Sequence, residues 1–270
     1  RVNINFHQTF KPKRQYISSI LNVANSTSSM SVKDISACTG IPNGQSSGKV
    51  EPHIYYASYM GLIEYEKKES LISLTRTKLG ETVSIEDPGL QEKLTILLCH
   101  AMMMRDVGGA DIWNAVFKRI LPMYRSGIKK EILIRELEQL FDRKVNKKNF
   151  APFIGSYEEM FACINILSID AECIKANSLL FNNEFLYLYT YILFEYWDEL
   201  FDNQEEISSI QLEALNYGKV FGWDMQTEYE LLQHLSDKGL LRLNRQLMPY
   251  SILRLVDKDA VLGKLYSELC

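Results

Sequence analysis

The chain has 270 residues, of which 46% are hydrophobic and 24% are charged. This composition excludes a disordered chain and supplies cores for one large domain or for two to three smaller ones. The formal net charge of −4 argues against a protein that coats nucleic acid or membrane along its whole length.

Charge is distributed unevenly along the chain. Residues 1–80 contain ten Lys and Arg against five Asp and Glu, a balance of +5, whereas residues 81–270 have a balance of −9. Because phosphate contacts are made by basic side chains, the sequence predicts that any nucleic-acid-binding surface lies in the front part.

The first 61 residues predict three short helices. Apolar residues recur at helical spacing over residues 13–23, which indicates the first helix. Ser31 is a good N-cap for the second helix, and Gly40 is placed to end it. The turn Ile-Pro-Asn-Gly follows at 41–44, and the third helix closes at Gly61.

A hairpin follows the third helix. The runs LIEYEKK and LISLT alternate apolar and polar residues on either side of Glu69 and Ser70, and we expect Ile72 and Leu74 to be buried on one face. Helices followed by a hairpin in this order predict a winged helix-turn-helix, in which the hairpin is the wing.

The middle of the chain reads as helix. Asp87-Pro88 predicts an N-cap with proline at the first helical position, followed by the helix LQEKLTILLCHAMMM. A second amphipathic helix, DIWNAVFKRIL, comes after Gly108-Gly109. The most apolar segment, residues 184–201, carries four acidic residues, so we expect a buried core helix and not a membrane span.

The order of helices and hairpin recurs near the end of the sequence. Helices are expected at 208–217 and 223–238, followed by a hairpin with its loop around Met248-Pro249. A fainter copy lies between, where GIKKEILIRELEQLF and SYEEMFACINIL run into SIDAE.

We therefore predict a mainly α-helical protein in three parts. An N-terminal winged helix-turn-helix covers 1–86, a helical middle domain covers 87–203, and a C-terminal winged-helix-like lobe covers 204–270. The sequence leaves open whether the middle domain contains a degenerate winged unit.

Two patterns resemble a catalytic motif but lack features that the motif requires. The loop GIPNGQSSGKV resembles a phosphate-binding loop, but only three residues separate Gly44 from Gly48, and Val50 follows the lysine where a Ser or Thr is needed. Asp34 with the wing sequence Glu66-Lys67-Lys68 resembles a nuclease pattern, but Asp34 is expected on a helix and not on an adjacent strand.

The remaining signals predict no enzyme, no cofactor and no metal. The five cysteines form no C-x-x-C pair, and no histidine lies at zinc-finger spacing. His7 and His100 are expected to be core histidines that bind backbone carbonyls. No charged and then apolar leader opens the sequence, so we expect a cytoplasmic protein without membrane contact.

The candidate DNA contacts come from the start of the first helix, the start of the third helix and the wing, which converge on one face of a winged fold. They are Lys11, Lys13, Arg14, Gln45, Ser46, Ser47, Lys49, His53, Tyr56, Lys67, Lys68, Arg76 and Lys78. The third helix lacks the Arg, Asn or Gln that usually read base edges, so the predicted contacts are to the DNA backbone. Its tyrosines are equally suited to a partner protein, and a solvated surface is the simplest alternative.

Several longer motifs resemble a known family. FHQTF, GIPNGQSSGKV, MGLIEYE, LTRTKLG, EDPGLQEKLTILLCH and GADIWNAVF together are similar to the bacterial family catalogued as domain of unknown function 4007. The string from Asp87 to His100 is the most specific part of this resemblance.

The resemblance implies a role beside DNA-modification and phage-defence genes, notably those of DNA phosphorothioation, with no enzymatic activity attached. The expected function is a non-enzymatic component that binds or recognises double-stranded DNA and works with other proteins of such an operon. The alternative is an adaptor that binds a partner modification or effector enzyme without contacting DNA.

Overall fold

The computed structural model describes residues 2–24, 28–44, 48–246 and 248–269. About 51% of the chain is helical. Twelve α-helices and nine short β-strands lie in the described residues, and the strands form three separate antiparallel sheets of three strands each. The predicted mainly α-helical class is confirmed.

The front unit spans residues 30–76 and follows helix α1 (Arg14–Val23), which packs against both of its helices. Ser31 caps the first of these helices through a capping box with Asp34, and Gly40 ends it with a φ of 71°, as predicted. The elements of the front unit, in chain order, are β1 (Met30–Ser31), α2 (Val32–Thr39), α3 (Val50–Tyr59), β2 (Ile63–Lys68) and β3 (Leu71–Arg76).

The predicted hairpin is confirmed in the front unit. Strand β3 lies between β1 and β2, and Tyr65 pairs with Leu74 across the two longer strands. Ile72 and Leu74 are buried and Leu71 is exposed, as the alternation of apolar and polar residues requires. Glu69 has a φ of 55° in the turn between the two strands.

Four helices and a π-helical turn link the front unit to the rest of the chain. They are α4 (Lys78–Glu86), α5 (Lys93–Met102), α6 (Asp111–Asn114) and the π-helical continuation of α6 over Ala115–Ile120, and, after the middle unit, α9 (Leu186–Leu200). Helices α5 and α9 are buried along almost their whole length and pack on each other, which confirms the predicted core helix.

The predicted helix start at Asp87-Pro88 is wrong. Asp87 ends α4, and α5 begins only at Lys93. The Asp87 carboxylate accepts hydrogen bonds from the backbone amides of Gln91 at 2.8 Å and Glu92 at 2.9 Å, so it closes a turn between the two helices instead of capping one. Helix α4 was not predicted; Thr77 caps it by accepting from the Gly80 amide.

The middle unit spans residues 128–176 and repeats the order of the front unit. Asn146 caps its second helix through a capping box with Asn149. The elements, in chain order, are β4 (Ile128–Lys129), α7 (Lys130–Phe141), α8 (Lys147–Glu158), β5 (Leu167–Ile169) and β6 (Cys173–Ala176).

The rear unit spans residues 206–254 and repeats the order a third time. Ser208 and Asp224 cap its two helices. The elements, in chain order, are β7 (Glu206–Ser208), α10 (Ser209–Leu215), α11 (Met225–Asp237), β8 (Leu241–Asn244) and β9 (Ser251–Arg254), after which α12 (Lys258–Leu262) packs on α9.

The three units share one topology. In each, a short first strand pairs with the third strand, which also pairs with the second. The front and rear units also share the joint between helix and hairpin, because Gly61 and Gly239 have φ values of 73° and 76°. The predicted boundaries after residues 86 and 203 remain predictions. Among the described residues, no helix is long and apolar enough to span a membrane.

Candidate nucleic-acid interface

The structure brings four of the thirteen predicted contact residues together around one cavity. It has a volume of about 460 Å³, lies at the N-termini of α1 and α3, and is lined by Lys11, Lys13, Lys49 and His53. Its opposite wall is one face of α8, formed by Ala151, Pro152, Gly155 and Glu158. Helix N-termini carry partial positive charge, so the two helix ends and the three lysines favour an anion at this place.

His53 joins the two helix N-termini from inside. Its Nε2 accepts a hydrogen bond from the Lys13 amide at 3.1 Å, and its Nδ1 donates to the Lys49 carbonyl at 2.7 Å. Burial lowers the pKa of His53 from 6.5 to about 4, so the ring is neutral at pH 7. The prediction that His53 contacts a base or phosphate is corrected, because the side chain is completely buried.

Tyr56 is a second predicted contact residue that lies in the hydrophobic core. It is completely buried against Phe6 and Trp113, and its hydroxyl donates to the Phe10 carbonyl at 3.0 Å. The ring therefore cannot reach DNA, and its predicted contact is corrected. Tyr55 and Tyr59 on the same helix are partly buried.

Replacing His53 by phenylalanine is expected to lower the free energy of unfolding by about 1–3 kcal/mol, because it leaves the partly buried Lys13 amide without its acceptor. Phenylalanine retains the ring contact with Tyr16. Urea denaturation measures the change. The matched control is His234→Phe at an exposed histidine, where we expect a change within about 0.5 kcal/mol. Equal effects of the two substitutions would contradict the argument that His53 stabilises the fold by accepting from the Lys13 amide.

The positive charges of the hairpin lysines are paired with nearby acidic side chains. Lys67 forms an ion pair with Glu51 of α3, which raises the pKa of the lysine. Lys68 pairs with Glu66 at 3.1 Å, and both side chains are largely exposed. Lys67 and Lys68, which were predicted to contact DNA, therefore lie on a surface of low net charge.

Three further predicted cations are engaged elsewhere in the chain. Arg76 donates to the Leu21 and Asn22 carbonyls at 2.8 and 3.1 Å, and so binds the C-terminus of α1. Lys11 pairs with Glu159 of the middle unit at 2.5 Å, and Lys78 pairs with Asp259 of α12 at 2.5 Å. The three side chains thus hold neighbouring elements together.

Lys13, Arg14 and Lys49 form no ion pair with any described residue. Lys13 lies over the Tyr16 ring at 5.8 Å, and Lys49 lies over the Phe10 ring at 5.4 Å. The predicted contacts Gln45, Ser46 and Ser47 lie outside the described residues.

A cationic cluster outside the predicted set lies at the start of α8. Arg143 and Lys144 follow α7, and Lys147 and Lys148 open α8. All four side chains are exposed, and none forms an ion pair within the part of the chain that the structure describes. The cluster is visible in the sequence as RKVNKK at 143–148. It was not predicted, because it lies within residues 81–270, whose summed charge is negative.

No group of three or more His, Cys, Asp or Glu side chains suited to a metal occurs among the described residues. Asp34 is occupied by its capping box, in which the Ser31 hydroxyl lowers the pKa of the carboxylate. His100 is completely buried and bonds to the Tyr157 hydroxyl at 2.9 Å and the Val220 carbonyl at 2.8 Å, as expected of a core histidine.

The chain is a mainly helical protein with three small sheets, and solved structures share its fold. One, described as "SspB crystal structure", aligns with a TM-score of 0.74 at 14% identity, and another, "Magnesium ion-bound SspB crystal structure", with a TM-score of 0.72 at 13% identity. Each alignment covers 98% of this chain and 86% of the other. The chain therefore shares the fold of SspB. No protein-family profile and no curated protein matches the sequence.

Proposed function

We propose that the protein is a non-enzymatic DNA-binding subunit of a bacterial phosphorothioation-type DNA-modification or defence system. The three units of strand, two helices and hairpin support this proposal, since a winged helix-turn-helix has this order and this sheet pairing. The fold shared with SspB supports the phosphorothioation context that the family resemblance implies.

One observation carries the DNA-binding part of the proposal. Lys13, Arg14 and Lys49 lie at two adjoining helix N-termini and form no ion pair with the described residues. DNA phosphates complement such a surface through both the side-chain charges and the free helix amides. We infer backbone contacts there, which carry little sequence information.

Binding of fluorescent duplex DNA as a function of salt tests the proposal. Lys13→Ala with Lys49→Ala is expected to reduce the slope of log affinity against log salt by about 2, since each lost phosphate contact removes about 0.9. The fold is retained, because His53 contacts only backbone atoms of these two residues. The matched control, Lys67→Ala with Lys68→Ala, also removes two charges but from existing ion pairs, so we expect a smaller change.

An adaptor that binds a partner enzyme without DNA is the second candidate. It is favoured by the compensation of Lys11, Lys67, Lys68 and Lys78 by acidic side chains, which reduces the positive surface. Absence of duplex binding by the unsubstituted protein at low salt, together with stoichiometric co-purification of an operon partner, supports the adaptor. Nicking of supercoiled plasmid in Mg²⁺ by the purified protein contradicts the non-enzymatic assignment.

A further inference from the structure

The cluster Arg143, Lys144, Lys147 and Lys148 lies in the turn between the two helices of the middle unit and at the start of the second helix. This position corresponds to that of Lys49 before α3 in the front unit. Asn146 and Asn149 cap each other, so the cap uses the Asn149 amide and leaves the amides of Lys147 and Lys148 free of the cap. The middle unit thus presents four exposed cations at a 12-residue helix N-terminus.

Helix α8 connects this cluster to the cavity at α1 and α3. Lys148 lies three, four and seven residues before Ala151, Pro152 and Gly155, so all four share one helix face. The last three line the cavity together with Lys13 and other residues of the front part. At a rise of 1.5 Å per residue, Lys148 and Gly155 are about 10 Å apart along the axis.

Gly155 lies where the Lys11 side chain crosses α8 closely. A Cβ atom at this position would lie 2.8 Å from Cδ and 3.2 Å from Cβ of Lys11, so a larger residue would displace the lysine side chain. At the far end, Glu159 neutralises Lys11, and Glu158 in the cavity wall adds one negative charge beside the two positive charges of Lys13 and Lys49.

The N-terminal segment, residues 2–10, contacts both the cationic cluster at the start of α8 and the cavity. Arg143 donates to the Val2 carbonyl at 3.1 Å, and Asn149 donates to the Asn5 side chain at 3.1 Å. The same segment continues to Phe10, which lines the cavity. The two cationic surfaces are therefore both in contact with the same segment of the chain.

We propose that these residues form one cationic track, from Arg143 across α8 to Lys13 and Lys49, that binds the sugar-phosphate backbone of one DNA strand. This inference rests on the proposed function and extends it to the middle unit. The α8 stretch from Lys148 to Gly155, about 10 Å long, spans about three phosphates of one strand when it runs parallel to the duplex axis, because each strand carries one charge per about 3.4 Å of that axis. A free phosphate ion is too small to use cations spread over that length.

Salt-dependent binding of labelled duplex to the full chain tests the track. Lys147→Ala with Lys148→Ala is expected to reduce the salt slope by about 2 and the affinity at least about tenfold. Alanine favours helix, so α8 is retained. The matched control removes two exposed cations of the rear part, Arg242→Ala with Lys264→Ala, and is expected to leave the slope unchanged.

The outcomes separate this inference from the proposed function. If the unsubstituted protein binds and Lys13→Ala with Lys49→Ala weakens it, but Lys147→Ala with Lys148→Ala does not, the track is overturned and the proposed function stands. If the unsubstituted protein does not bind duplex, the proposed function fails. If polyglutamate competes as well as unlabelled duplex at equal charge, the track binds acidic protein and the DNA assignment is overturned.

Discussion

Lys118→Ala is expected to lower the free energy of unfolding by about 3 kcal/mol, because it removes the packing of a buried side chain and its ion pair with the partly exposed Asp106. The Lys118 ammonium is buried, lies 2.9 Å from Asp106 and lies 4.1 Å from the centre of the Tyr196 ring. Asp106 in turn accepts from Asn114 and donates its amide to Glu199 of α9. The substitution therefore loosens the contact between the loop after α5 and the core helix.

A double variant separates charge from packing at this position. Lys118→Met keeps most of the packing but leaves Asp106 unpaired, whereas Lys118→Met with Asp106→Asn removes both charges and keeps an acceptor for Asn114. We expect the double variant to be more stable than Lys118→Met alone, because the unpaired carboxylate is gone. Urea unfolding of the three variants measures this order, and a less stable double variant contradicts the argument.

The second large effect concerns pH. Burial lowers the pKa values of His7, His53 and His100 from 6.5 to about 4, and it raises those of Glu199 and Glu228 from 4.5 to about 7. Between pH 5 and 6 the unfolded chain carries three histidine protons that the folded chain lacks. The folded chain carries two carboxyl protons that the unfolded chain lacks.

The two sets oppose each other in their effect on stability. Depressed histidine pKa values stabilise the fold above pH 6.5, and this contribution is lost as pH falls towards 4. Raised carboxyl pKa values stabilise it below pH 4.5, and this contribution is lost as pH rises through 7. The net difference is about one proton, so stability is expected to fall by about 1 kcal/mol per pH unit on acidification from pH 6 to 5.

Replacing both glutamates isolates the effect of the three histidines on the pH dependence of stability. Glu199→Gln with Glu228→Gln keeps side-chain oxygen acceptors for the Asp106 and Gly218 amides but removes the two titrating groups. The dependence is then expected to steepen to about 4 kcal/mol per pH unit between pH 6 and 5. Urea unfolding free energies at pH 5.0, 5.5 and 6.0 measure both slopes. Equal slopes in the two proteins contradict the assignment of raised pKa values to these carboxyls.

Local signals predicted many of the secondary elements. The cap at Ser31 and the end of α2 at Gly40 were predicted because each depends on atoms within a few residues along the chain. Burial of Ile72 and Leu74 followed from strand alternation in the same way. Asp87 shows the limit of such signals, since its carboxylate binds two following amides in a turn that reads like a helix cap.

The candidate interface was predicted only in part. Basic residues near the starts of α1 and α3 were found from the charge of residues 1–80, and Lys13 and Lys49 do line one cavity. His53 and Tyr56 were misassigned, because a polar side chain in a short helix carries no local mark of burial. The RKVNKK cluster was visible as residues but was averaged into an acidic region.

The sequence by itself determined where most of the helices and hairpins form, that one order of elements recurs, and that the front carries the excess of positive charge. Only the tertiary structure decided which cations are free, because Lys11 meets Glu159 and Lys78 meets Asp259 across distances of well over a hundred residues. Helix caps and strand alternation act between near neighbours in the chain. Charge compensation and burial depend on whichever residues the fold brings within a few ångströms, whatever their separation in sequence.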